Sequence, residues 1–133
     1  MIPRLLLITQ FLIFIGIPVA SYDEGTLAYY HQVNIEDVCW RRVRQGWNPQ
    51  LNCDFPCLIS SIEPEHIGEY WLIALPNCRG RERIKLCLVV DCAREEDINR
   101  LRERHEVVEI SGALARYCGY QGYVEGTMVW RLE

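Results

Sequence analysis

Apolar residues in this chain recur in short runs. CLISSI (57–62), EYWLIAL (69–75), IKLCLVVD (84–91), EVVEIS (106–111) and TMVWRL (127–132) are rich in branched or aromatic residues. Several are bounded by glycine, proline or charge, the pattern of short buried strands. GTLAYY (25–30) alternates and predicts a first strand. A short helix is expected around Glu36–Arg44, where Val33, Ile35, Val38, Trp40 and Val43 fit neither period cleanly. LNCDFPC (51–57) is turn chemistry, with Asn52, Asp54 and Pro56 disfavouring regular structure. REEDINRLRER (94–104) suits either a helix with Ile98 and Leu101 inward or an exposed charged loop. In SGALARYCG (111–119), Ser111 serves as N-cap, Leu114 and Cys118 share a face, and Gly119 stops the helix. Short strands with one or two small helices predict a mainly β fold, a small closed barrel or sandwich.

The chain has 133 residues, enough for one domain. Its start is of a different kind. Arg4 precedes an apolar run from Leu5 to Ala20, broken only by Thr9 and Gln10 and ended by small residues. That is the design of a secretory signal peptide, so residues 1–21 are expected to be a leader and 22–133 the mature domain. The run is short of the roughly 20 apolar residues of a spanning helix. The domain is therefore expected to be secreted or extracytoplasmic, with no stable membrane span after cleavage.

Cysteine usage agrees with export. All seven cysteines follow the leader, and a small exported domain gains roughly 2–4 kcal/mol from each disulfide. Cys78 and Cys87 flank the turn RGRERIK and are candidates to close a hairpin, whereas Cys53 and Cys57 are close for a mutual bridge. Seven is odd, so one thiol stays free or links two chains into a dimer. No metal site is expected: Cys53-x3-Cys57 and Cys87-x4-Cys92 lack knuckle spacing, whichever of His31, His66 or His105 is added. No cofactor motif appears.

Net charge is −4. Without Arg4 it becomes −5, from 13 basic against 18 acidic residues. This balance argues against a nucleic-acid or anionic-polymer binder and leaves neutral sugars open. Arg79, Arg81 and Arg83 read as an exposed turn, with a grip on acidic wall polymer as the functional alternative.

Two near-repeated steps carry the chemistry. Val89-Val90-Asp91 and Val108-Glu109-Ile110-Ser111 each run from a strand into a carboxylate. With Ala113–Tyr117, Gly119–Gly126 and Thr127–Leu132 they resemble the second half of a double-psi β-barrel of the rare-lipoprotein-A and expansin type. GTLAYY resembles that family's opening strand, and HIGEYWLIAL (66–75) its step into the middle strands. The resemblance spans most of 25–132 and is strongest over 86–131. VCWRRVRQGWNPQLNC replaces the family's usual Thr-Ala-Asn/Ser-Gly stretch, Glu109 stands where Asp is commoner, and no appended carbohydrate-binding domain is expected.

The resemblance implies a six-stranded, disulfide-containing double-psi barrel that acts on or binds cell-wall polysaccharide, peptidoglycan first. The implied activity is lytic transglycosylation or non-hydrolytic loosening. Asp91 would be the main acid and Glu109 its partner; Tyr29, Tyr30, Trp40, Trp47 and Tyr120 are candidate sugar platforms, because aromatic faces suit the apolar faces of pyranose rings. A lytic enzyme needs one acid/base, a hydrolase two carboxyls. Beside this stands the plainer reading: strand-end acids usually cap turns, and single aromatics usually pack in cores. The alternatives are a non-catalytic carbohydrate-binding barrel and a structural or protein-interaction barrel.

Overall fold

Each β-rich run folds as a strand. The computed structural model describes residues 18–48, 50–81 and 83–133. In chain order the elements are β1 (Val19–Tyr29), α1 (Ile35–Arg44), β2 (Leu58–Ser61), β3 (Tyr70–Ala74), β4 (Ile84–Cys92), α2 (Ile98–Glu103), β5 (Glu106–Ile110), α3 (Gly112–Cys118) and β6 (Val124–Leu132). Single 3-10 turns lie at Pro64–His66 and Glu95–Asp97. Most of the expected leader, residues 1–17, lies outside the described residues. Val19 and Ser21 open β1, opposite Leu132 and Arg131 of β6.

The helices form for local reasons. The Asn34 side chain accepts from the Glu36 amide at 2.9 Å and caps α1. Acids in its first turn and arginines in its last complement the helix dipole. At the head of α3, Ser111 Oγ accepts from the Leu114 amide at 3.0 Å. Gly119, at φ +77°, ends α3 in the left-handed conformation. The charged segment after β4 is helical from Ile98 to Glu103, so three short helices are present among the described residues where one or two were expected.

The strands close into a barrel in the order β1-β5-β2-β4-β3-β6. Two pairings are parallel, β1 with β5 and β2 with β4; the other four are antiparallel. Exchanging β1, β2, β3 with β4, β5, β6 returns the same ring of neighbours with the same directions. The barrel therefore consists of two interlocked three-strand halves, each lending a strand to a parallel pair with the other. That is the double-psi arrangement, six strands of mixed pairing.

Leu27, Ile59, Trp71, Ile73, Val89, Val108, Ile110 and Val129 fill the interior. A second cluster packs Ile35 and Cys39 of α1 against Leu58, Leu88 and Val90. Disulfides stitch both clusters: Cys39–Cys53, Cys57–Cys87 and Cys78–Cys118. Cys78 and Cys87 are both bridged, but not to each other. Cys87 pairs across β3–β4 with Trp71, three residues inside the Ala74–Ile84 end of the hairpin. At about 3.3 Å per residue that sets it about 10 Å back from the turn holding Cys78. Cys92 is the cysteine left free.

One glycine is required by close approach. A Cβ on Gly25 would strike the His105 carbonyl oxygen and the Val107 side chain. There the β1 chain passes β5 closely enough for the Thr26 amide to donate to His105 O at 2.7 Å.

Candidate functional site

The parallel pairings gather four strand ends. Ser60 on β2 is opposite Asp91 on β4 on one side and Glu109 on β5 on the other. Tyr30, just past β1, reaches the same place. All four line an open groove of about 590 Å³, with α1 and the β4–β5 connection as its walls.

Asp91 is 8% exposed and fully engaged. Its Oδ1 accepts from Arg42 Nε at 3.0 Å and Nη2 at 2.6 Å, and Oδ2 accepts from the Tyr30 hydroxyl at 2.9 Å. Arg42 is itself held flat, its guanidinium carbon 4.1 Å from the centre of the Trp47 ring. Burial first, then the Asp91 charge, drives the Tyr30 phenol well above its ordinary range, so it stays a donor.

Glu109 is the opposite case. Its carboxyl lines the groove without a hydrogen bond or ion pair among the described residues. Burial, then the charges of Glu106 and Asp91, push it up to about 7. A carboxyl poised near neutrality, open to the groove and free of competing partners can give and retake a proton. Asp91 is the contrasting case, both of its oxygens accepting and its carboxyl held in place by Arg42 and Tyr30.

Of the residues expected to bind sugar, Tyr29 and Tyr30 line the groove with the two acids. Trp47, 50% exposed, borders an adjoining slot of about 490 Å³ with Pro64 and Ile98. Trp40 is exposed on α1 and lines neither. Tyr120 packs against the barrel core, its hydroxyl donating to Pro76 O at 2.8 Å and pushed up to about 12 by burial. Cys92 sits half-buried beside Asp91 in the groove wall. Burial, then the Asp91 charge, raises its thiol, while Arg42 pulls the other way; such a thiol is a poor nucleophile.

Arg42, Ser60 and Glu106 belong to the site and were not anticipated from sequence. Arg42 had a signal: it follows Ile35, Val38 and Cys39 at the spacing of one helical face. A charge on a buried stripe needs a partner, and Asp91 is that partner.

The strand order and the two parallel pairs define a double-psi β-barrel, the fold of rare-lipoprotein-A and expansin domains. Two solved structures of a Clavibacter michiganensis expansin are similar to the chain, the apo protein and a mutant in complex with cellohexaose. Each is 13% identical with a TM-score of 0.48, over 85% of this chain and 51% of the other. The chain thus spans about half the length of that expansin. No protein-family model matches the chain, and no curated protein matches it. Among the described residues, no helix is long and apolar enough to cross a membrane.

Proposed function

We propose that the groove holds cell-wall polysaccharide, peptidoglycan first, and that Glu109 is the proton donor to a glycosidic oxygen. The observation that carries the reading is the contrast between the acids: Glu109 unpartnered and raised to about 7, Asp91 tied to Arg42 and Tyr30. One free acid beside one held carboxyl suits the lytic route, which needs a single acid/base. Glu109 protonates the leaving oxygen as the C1–O bond breaks. The sugar's own C6 hydroxyl then attacks C1 and returns its proton to Glu109. The Asp91 carboxylate stabilises the positive charge that develops at C1. The roles are the reverse of those the resemblance implied, where Asp91 led.

A signal-led, extracytoplasmic domain of residues 22–133 accords with the three disulfides. The test is digestion of insoluble peptidoglycan by the oxidised protein, with released fragments read by mass spectrometry. Wild type is expected to release anhydro-ended muropeptides, at a rate falling as pH rises through about 7 where Glu109 loses its proton. Glu109→Gln is expected to release none. Fragments from Glu109→Gln at the wild-type rate would remove Glu109 as the acid. No fragments from wild type, with co-sedimentation intact, would leave a binder or non-hydrolytic loosener.

A further inference from the structure

The charge of the groove is arranged in two tiers. The floor holds the acids Asp91, Glu106 and Glu109. The walls hold five arginines, Arg41 and Arg42 from α1 and Arg94, Arg100 and Arg104 from the β4–β5 connection. Arg42 is consumed by Asp91 and Arg100 by Asp97. Arg104 donates to the Tyr123 hydroxyl at 2.8 Å, a neutral partner. Arg41 and Arg94 are exposed and make no ion pair among the described residues. On the floor, burial favours the neutral forms of Glu106 and Glu109, although Arg104 and Arg100 draw Glu106 the other way. The groove lining therefore carries more basic than acidic groups, five arginines against Asp91, Asp97, Glu106 and Glu109, on a chain whose net charge is −4. The basic groups are of one kind, since Lys85 is the one lysine among 14 basic residues. A guanidinium presents a planar fork that matches a carboxylate bidentately, where an ammonium is a point charge.

Resting on the glycan reading of this groove, we propose that its ligand is a carboxylate-bearing wall glycan, with Arg41 and Arg94 gripping the carboxylates from the two walls. A neutral glucan would leave both guanidiniums without partners. The shared chemistry has two sources: uronic-acid sugars, and the free stem-peptide carboxylates of peptidoglycan. The low net charge of the whole chain does not oppose this, because at physiological salt an exposed charge is screened within about 8 Å and the wall arginines act locally.

The experiment measures binding of the oxidised full chain to four polymers: polygalacturonate, its methyl ester, peptidoglycan, and peptidoglycan amidated with carbodiimide. Cellohexaose is the neutral control. One acidic polymer is expected to bind on the order of tenfold more tightly than its neutralised form, and that polymer names the source. Arg41→Gln/Arg94→Gln should shrink the preference several-fold, two exposed pairs being worth about that much. Arg79→Gln/Arg81→Gln, which removes equal charge from the β3–β4 turn, should leave it. Equal affinity for acidic and neutralised polymers would overturn the carboxylate assignment while the groove reading stands. So would loss of the preference in the turn variant and not in the groove variant. Binding to none of the glycans would overturn both.

Discussion

Replacing Glu109 by Gln should make the protein more stable, and only above a certain pH. In the folded chain Glu109 titrates at about 7 instead of 4.5, because burial, then Glu106 and Asp91, disfavour its charge. Between those values the native state holds a proton that the unfolded chain has released. Stability therefore falls as pH rises from about 4.5 to about 7 and is flat beyond. The span from 4.5 to about 7 corresponds to about 3 kcal/mol at 1.36 kcal/mol per pH unit. Water in an open groove screens part of this, leaving about 2 kcal/mol. Glutamine keeps the shape and removes the titration. Urea unfolding of both proteins at pH 4, 5.5, 7 and 8.5 reads the difference directly. The variant should match wild type at pH 4 and exceed it by about 2 kcal/mol at pH 8.5. Glu106, also raised by burial, titrates in both proteins and largely cancels in the comparison. A constant offset at all four pH values, or none, would refute a raised Glu109 and remove the main support for its role as acid.

Three further outcomes follow from contacts described above. A double-mutant cycle of Arg42→Met and Asp91→Asn should give a coupling of about 1–3 kcal/mol in urea unfolding, the pair being largely buried; additivity within about 0.5 kcal/mol would mean the ion pair contributes nothing. Gly25→Ala should destabilise by at least about 2 kcal/mol, since the new methyl meets the His105 carbonyl, and an unchanged urea midpoint would disprove that close approach. Replacing Cys39 and Cys53 by serine opens a span of 14 residues. It should cost about 3 kcal/mol by loop entropy, and faster amide exchange in α1 would show the helix loosened.

The strands were legible because each carries its evidence locally: YWLIA in β3 and LCLVV in β4 are branched or aromatic runs that suit nothing else. The ends of α3 were legible for the same reason, Ser111 and Gly119 being chemically specific caps. Disulfide pairing was not, because Cys78 and Cys118 are brought together only by closure of the barrel, across a separation of 40 residues. Order along the chain made Cys87 look like the partner of Cys78, while register placed it against Cys57. In the site, both acids could be named from their strand-end steps. Their division of labour depended on Arg42, which reaches Asp91 from a helix 49 residues earlier. Tyr120 and Trp40 looked like Tyr30 and Trp47 as letters; what separates them is which side of the wall each faces.

The exchange symmetry of the barrel extends to the groove floor and is broken there. Tyr30 and Ser60 come from the first half, Asp91 and Glu109 from the matching strands of the second. A frame with a two-fold axis offers the same backbone to a polymer threaded either way. The side chains do not: one half presents neutral hydroxyls, the other carboxyls. Any ligand lying in the groove therefore meets two chemically different halves on one repeated backbone.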